Sequence, residues 1–280
     1  MSNEQELKEL VRQKYSEIAL QDKEDNQASC CGATCCNTEV YNIMSDDYTQ
    51  LNGYNPDADL GLGCGLPTQF AKIKKGDVVI DLGSGAGNDA FIARAETGET
   101  GKVIGIDFSD AMLNKARVNA DKLGFNNVEF RYGDIEKMPV TANTANVIVS
   151  NCVLNLVPNK DAVLKDIYRV LKPGGHFSIS DVVLIGTLPE GLRKSAEMYS
   201  GCVSGAIQKE AYLELIRNNG FENVSIQKEK VITLPADILK EHLIDDEIQQ
   251  FQNKGAGIFS VTVYAEKPLE NKACCEPGCC

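Results

Sequence analysis

Between an apolar run, Val78 to Leu82, and a helical stretch, Asn88 to Glu96, lies Asp81-Leu82-Gly83-Ser84-Gly85-Ala86-Gly87. Glycine carries no Cβ and accepts positive φ, so a turn this rich in it lets backbone approach a ligand closely. A strand that ends in such a turn and feeds a helix is the first half of a βαβ unit. The turn reads G-x-G-x-G and lacks the last glycine of the G-x-G-x-x-G dinucleotide fingerprint, because position 88 is Asn.

The units that follow repeat the pattern. Val103 to Ile106 reads as a strand ending at Asp107, and Ser109-Asp110 cap a helix from Ala111 to Leu123 with Met112, Leu113, Ala116 and Leu123 on its buried side. Val128 to Tyr132 is a third strand ending in Gly133-Asp134-Ile135, and Ala145 to Ser150 a fourth ending in Asn151-Cys152. Asp161 to Leu171 is a helix stopped by Lys172-Pro173-Gly174-Gly175, before a fifth strand from His176 to Val183. Glu197 to Asn219 is mainly helical and closed by Gly220, Val224 to Gln227 is strand-like, and Phe259 to Ala265 alternates as a final strand. Ahead of the first unit, Glu4 to Leu20 is an amphipathic helix, Gln21 to Thr38 a polar loop, and Glu39 to Gln50 includes a short helix. The expected fold is α/β, a doubly wound, mostly parallel, Rossmann-like sheet with an N-terminal helical and Cys-containing segment and a smaller C-terminal α+β region. The expected divisions are an N-terminal segment at 1–66, a cofactor-binding core at 67–185, a C-terminal region completing the sheet at 186–268, and a Cys-rich tail at 269–280.

A net charge of −12 over 280 residues repels phosphate backbones and anionic lipid, so nucleic acid and membrane are not expected partners. No run of 18 apolar residues and no secretory h-region is present, which makes the expected location cytoplasmic. In that reducing compartment eleven cysteines point to metal or metalloid binding or to redox chemistry.

In open parallel sheets ligands bind beyond the carboxyl ends of the strands, where Asp81, Asp107 and Asp134 all fall. A carboxylate at Asp107 can accept both ribose hydroxyl protons, and Asp134 suits an adenine amino group. Together, Asp81 to Gly87, Asp107, Gly133-Asp134-Ile135 and Leu171-Lys172-Pro173-Gly174-Gly175 resemble the class I S-adenosylmethionine-dependent methyltransferases over roughly Lys74 to Val183. That resemblance implies bound S-adenosylmethionine, with Asp107 on the ribose, Asp134 and Ile135 around the adenine, and Asp81, Gly83, Ser84, Gly85 and Gly87 near the methionine portion. Asn151 joins this cofactor-binding set. A nicotinamide cofactor fits the glycine pattern too, but nothing nearby offers hydride-transfer chemistry.

Cys152 follows the fourth strand, where a methyltransferase brings its acceptor to the sulfonium methyl, and Cys152-Val153-Leu154 supplies no base. The chain's two histidines, His176 in a strand and His242 in a distal helix, read as structural or surface residues. An acceptor with a free lone pair and no proton removes the need for a base. Trivalent arsenic on three thiolates is such a species, matched to sulfur by softness. Cys64 in Gly63-Cys64-Gly65, Cys152 in Asn151-Cys152-Val153 and Cys202 in Gly201-Cys202-Val203 are the candidate thiols. These contexts, in this order on a methyltransferase core, resemble the arsenite methyltransferases from about Tyr15 to Gly220, with Leu66 standing where asparagine is expected.

The resemblance implies an arsenic(III) site on Cys64, Cys152 and Cys202, in-line attack of arsenic on the methyl group, arsenite arriving as a thiol conjugate, and a thiol reductant such as glutathione or a thioredoxin-like protein. It also implies an upstream cysteine that forms a disulfide with the first ligand. Cys30, Cys31, Cys35 and Cys36 are the candidates, with Cys35 or Cys36 favoured and Cys36 taken into the catalytic set. The matching cluster Cys274-Cys275-x3-Cys279-Cys280 is open to capture of arsenite, storage of reducing equivalents, zinc or copper(I) binding, or no role. Two competing readings are a methyltransferase for a small organic acceptor and a thiol-rich metalloid sensor without turnover.

Overall fold

The computed structural model describes residues 3–20, 46–187, 189–190, 205–233, 239–240, 243–244, 246–249 and 257–269. Seven strands form one sheet: β1 (Val78–Leu82), β2 (Lys102–Asp107), β3 (Val128–Tyr132), β4 (Ala145–Asn151), β5 (Leu171–Ile185), β6 (Glu222–Ile232) and β7 (Gly257–Glu266). Their order is β3-β2-β1-β4-β5-β7-β6. The first five are parallel and β7 runs antiparallel between β5 and β6. The helices are α1 (Asn3–Ala19), α2 (Pro67–Phe70), α3 (Asn88–Thr97), α4 (Asp110–Leu123), α5 (Lys160–Val170) and α6 (Lys209–Asn218).

The elements follow from local chemistry. Ser109 Oγ accepts from Met112 N at the start of α4, and Gly124, in the left-handed region at φ 68°, ends it. Asn159 Oδ1 caps α5 by accepting from Ala162 N at 3.0 Å, and Val163, Leu164, Ile167 and Val170 turn its apolar stripe into the core. Two apolar layers result. Ile80, Leu82, Ile148, Phe177 and Tyr212 belong to one, and Val79, Phe91, Val147, Met112 and Leu113 to the other.

Three expectations need correction. Leu123 is 40% exposed and lies outside the covered face of α4, which runs through Met112, Leu113, Ala116, Asn119 and Ala120. Asp46 to Gln50 form coil and turn rather than the end of a helix: Asp47 Oδ1 accepts from Thr49 N at 2.9 Å, an Asx turn that competes with helix. Gly205 to Gln208 are not helical, so α6 begins at Lys209. The part of that expected helix preceding Gly205 from residue 197, His242, and Cys30, Cys31, Cys35, Cys36, Cys202, Cys274, Cys275, Cys279 and Cys280 lie outside the described residues.

The sheet places the site. Strand order reverses between β1 and β4, and an open crevice forms beyond the carboxyl ends at such a reversal. Asp81 pairs in register with Gly105 of β2 and Val149 of β4, which brings the glycine turn and Asn151-Cys152 to the same edge.

Candidate active site

The glycine turn folds tightly because two contacts demand it. Gly83 sits at φ 64°, and a Cβ there would lie 2.4 Å from Val153 Cγ2, so neither the conformation nor the space admits a side chain. Gly85 N donates to Asp107 Oδ2 at 2.9 Å while Ser109 N donates to Oδ1 at 2.8 Å. Asp107 thereby ties the glycine turn to the end of β2 and the start of α4.

Two recesses share Gly83, Asp107, Phe108, Val153 and Leu156 and form one groove across this edge. The larger, about 100 Å³, contains Asp81, Ser84, Asn88, Asp89, Asn151 and Cys152. The smaller, about 40 Å³, contains Asp134 and Ile135. The structure therefore brings Asp81, Gly83, Ser84, Gly85, Asp107, Asp134, Ile135, Asn151 and Cys152 to one groove. Gly87 stands behind it, with its Cβ position 2.7 Å from the Phe91 ring.

The electrostatics select the ligand. Asp59, Asp81, Asp89 and Asp107 line the larger recess, and no Lys or Arg does among the described residues. Burial raises the carboxyl of Asp81, with Asp89 and Asp107 adding repulsion. Burial raises Asp107 as well, against backbone N–H groups of Ser109, Gly85 and Phe108 that pull it down. Asp89 is pushed up to about 6 by burial, while hydrogen bonds from Asn151 and Tyr48 hold it lower than burial alone would. A buried carboxylate is held as an anion by hydrogen-bond donors or by a neighbouring cation, and a cation here would lower all three. Asp81 Oδ2, Ser84 Oγ, Asn88 Oδ1 and Asp89 Oδ1 are buried without a hydrogen-bond partner in the structure, which marks a polar ligand's place. A sulfonium and an α-ammonium on one molecule, as in S-adenosylmethionine, match this charge pattern. The residues fit that cofactor.

Asp134 makes contacts of its own in the smaller recess. Its Oδ1 accepts from Glu136 N at 2.9 Å, and Oδ2 receives the Lys8 ammonium at 2.6 Å. Lys8 also meets Glu136 Oε2 at 2.5 Å. These bonds bring α1 over the groove, where Val11 and Tyr15 line the larger recess.

Cys64 sits in a turn whose glycines are dictated by neighbours remote in sequence. A Cβ on Gly63 would lie 2.8 Å from Asn151 Nδ2, and one on Gly65 would lie 2.5 Å from Ser180 Oγ. Cys64 N donates to Asn151 Oδ1 at 3.0 Å, and Asn151 Nδ2 donates to the Gly65 carbonyl at 2.8 Å. Ser260 Oγ donates to the Cys64 carbonyl. The Tyr48 hydroxyl lies 2.9 Å from the Gly65 carbonyl and 3.0 Å from Asp89 Oδ2, and it accepts from Asn151 Nδ2. Asn151 thus holds the thiol turn as well as lining the groove.

Cys152 takes a left-handed backbone conformation at φ 61°, with its N–H donating to the Ser180 carbonyl at 2.8 Å. Cys64 and Cys152 are both buried and share one apolar cluster with Val11, Leu156, Val182 and Ala206. Strained non-glycine backbone concentrates at functional sites. His176 stands apart in β5, its Nε2 2.6 Å from the Ala71 carbonyl, a structural contact.

Sequence reasoning missed Lys8, Tyr48 and Asp89. Asp89 looks like any acidic residue in a helix's first turn, and Tyr48 falls in a stretch expected to be helical. Only the fold brings them to the groove.

A family model described as a methyltransferase domain matches residues 73–220, more than half of the chain. The arsenite methyltransferase of Halobacterium salinarum is 38% identical over 280 residues, spanning 95% of this chain and 68% of that protein. The arsenite methyltransferase of Aquipseudomonas alcaligenes is 31% identical over 246 residues, spanning 85% of this chain and 69% of that protein. Among solved structures, an arsenic(III) S-adenosylmethionine methyltransferase from Chlamydomonas reinhardtii superposes with a TM-score of 0.63 at 33% identity, covering 74% of this chain and 68% of that one.

Proposed function

We propose, for a chain that belongs to the arsenite methyltransferase family, that it methylates trivalent arsenic held by the thiolates of Cys64, Cys152 and Cys202. The observation that carries this reading is the Asn151 clamp. It ties the Cys64 turn to the residue next to Cys152, at the edge of a groove built for a cation.

Capture of arsenite from its thiol conjugate exchanges three As–S bonds to carrier thiols for three to the protein, each protein thiol's proton leaving on a released carrier thiol. Cys64 and Cys152 lie among apolar side chains that keep water from competing for arsenic. Ala206, four residues along the chain from Cys202, is buried in the same cluster. S-adenosylmethionine, when bound, supplies an electrophilic methyl carbon whose bond to sulfur breaks as the arsenic lone pair attacks. Asp107, Asp134 and Ile135 would hold its nucleoside end, and Asp81, Asp89 and the glycine turn its charged methionine end. Positioning is the protein's main contribution, because the trithiolate acceptor carries its own lone pair and needs no base. Arsenic leaves the transfer formally pentavalent, and a thiol pair that gives up two electrons to become a disulfide returns it to the trivalent state. Cys36 with Cys64 is the pair we assign, renewed by a glutathione- or thioredoxin-type reductant.

The test is to incubate the reduced protein with arsenite, S-adenosylmethionine and a thiol reductant and to speciate the arsenic. Methylated arsenic is the expected product. Cys152→Ser and Cys202→Ser should each lower its rate at least about 100-fold, the scale on which misplaced reactants lose rate, with S-adenosylhomocysteine binding retained. Full activity in either variant overturns the trithiolate assignment.

A further inference from the structure

Asp89 sits in the first turn of α3, directly after the glycine turn, and it lines the groove. Its Oδ2 lies 3.0 Å from the Tyr48 hydroxyl and 3.1 Å from Asn151 Nδ2. These two groups also hold the Gly65 carbonyl, and the other end of the Asn151 amide holds Cys64 N. The path from Asp89 to the Cys64 backbone is therefore two hydrogen bonds long. Asn151 Nδ2 has two hydrogens and three acceptors within reach, namely Asp89, Gly65 and Tyr48. How they are shared depends on where the Asp89 carboxylate points. Its second oxygen, Oδ1, is buried without a well-formed hydrogen bond, although the Thr68 hydroxyl lies near enough to the carboxylate to help lower it.

We infer that Asp89 is a positioning residue common to both ligand sites, through which a cation in the cofactor groove and arsenic on the Cys64 turn favour each other's binding. This rests on the arsenic-methylating reading above. A cation drawn to the groove's carboxylates restrains Asp89, and Asp89 in turn fixes Tyr48 and Asn151. The Cys64 turn is then held before arsenic arrives, so less conformational freedom is lost when it does. Arsenic bound first fixes the same turn and presents Asp89 to the cofactor. Linkage requires the two effects to be equal. Asp81 offers the internal comparison: it lines the same recess, its Oδ2 has no partner, and the hydrogen bond it does receive comes from the Ala90 backbone rather than from Tyr48 or Asn151.

The experiment is calorimetric titration of the full-length, reduced protein with arsenite and with S-adenosylhomocysteine, each alone and each with the other saturating. S-adenosylhomocysteine keeps the amino and carboxylate ends and has no methyl group to transfer, so nothing turns over. Each ligand should tighten the other by at least about fivefold, the lower range of site-to-site coupling. Asp89→Asn should reduce that factor to within about twofold while both ligands still bind singly, and Asp81→Asn should weaken S-adenosylhomocysteine yet keep the coupling. Tyr48→Phe removes one of the two groups that join Asp89 to the Cys64 turn, with Asp89 and the Asn151 path intact, should weaken the coupling part-way, and decides the matter if Asp89→Asn does not fold. Wild-type coupling in Asp89→Asn or Tyr48→Phe, or equal loss in Asp81→Asn, overturns the inference. Wild-type protein that binds both ligands independently overturns the inference and leaves the active-site reading standing. Failure of wild-type protein to bind arsenite removes both.

Discussion

Cys152 holds a backbone conformation that costs an L-residue about 1 kcal/mol or more and costs glycine almost nothing. The strain is retained where β4 ends and the chain must turn at once into Val153, which packs over Gly83. A thiol rather than a glycine at this point implies that sulfur is required there. Cys152→Gly and Cys152→Ala both remove it, and only alanine keeps a strained Cβ. The glycine variant should therefore melt higher than the alanine variant, by about 2 °C for a difference of roughly 1 kcal/mol in a chain of this size, while neither methylates arsenite. Thermal denaturation of the pair checks the first point and arsenic speciation the second; an alanine variant as stable as the glycine one would show that the conformation carries no strain. At this scale the sequence displays the thiols but hides their support. Gly63 and Gly65 are plainly special in Gly63-Cys64-Gly65, yet what crowds them is Asn151, Ser180 and Tyr48, brought close only by the fold.

At the level of elements, local periodicity makes the βα units legible from Val78 to Val183, because each strand and helix declares its own buried face. Pairing is another matter. β7 inserts antiparallel between β5 and β6, and its register, His176 opposite Glu266 through Ile185 opposite Gly257, depends on contacts across more than 70 residues of chain. The placement of α1 is equally hidden: amphipathic spacing announces a helix and says nothing of the groove it covers. Lys8 bonds both Asp134 and Glu136, and Ser16 Oγ meets Ser109 Oγ at 3.0 Å, so α1 spans the recess from the Asp134 end to the start of α4. On the proposed placement of adenine beside Asp134, the cofactor would have to negotiate Lys8 to enter. Lys8→Met should accelerate both association and dissociation of S-adenosylhomocysteine, each by roughly 3- to 10-fold, matching about 1 kcal/mol for a half-buried, charge-assisted pair. Its equilibrium affinity should change less than either rate. Stopped-flow binding separates these outcomes, and unchanged rates would mean that α1 does not gate the groove.

For the molecule as a whole, the cation-seeking groove has a cost that shows in its pH dependence. Asp81, Asp89 and Asp107 are raised by burial, and so is Asp181, which reaches about 7 in the core beside Tyr212, with Lys160 pulling the other way. A carboxyl whose folded pKa exceeds its unfolded value holds its proton in the native state over the interval where the unfolded chain has already released it. These groups therefore give most stability below about pH 4 and lose it as pH rises through 6 and 7. His176, lowered by burial, acts in the opposite sense below 6.5, one group against four. Glu129, drawn down to about 2 mainly by the Arg131 hydrogen bonds, matters only at more acid pH. Between pH 5 and pH 8 the protein without ligand should lose on the order of 2–4 kcal/mol. Asp181→Asn should flatten much of that decline, because it removes the most strongly raised buried carboxyl outside the groove. S-adenosylmethionine should reverse it in another way. Its cationic groups favour ionised Asp81, Asp89 and Asp107, so binding expels protons and strengthens as pH rises through about 6. The melting-temperature increase it produces in the absence of arsenite should therefore be larger at pH 8 than at pH 5, and equally so in Asp181→Asn, whose substitution lies outside the groove. An increase that shrinks with rising pH would mean that the groove's carboxylates are not what receives the cofactor's positive charge.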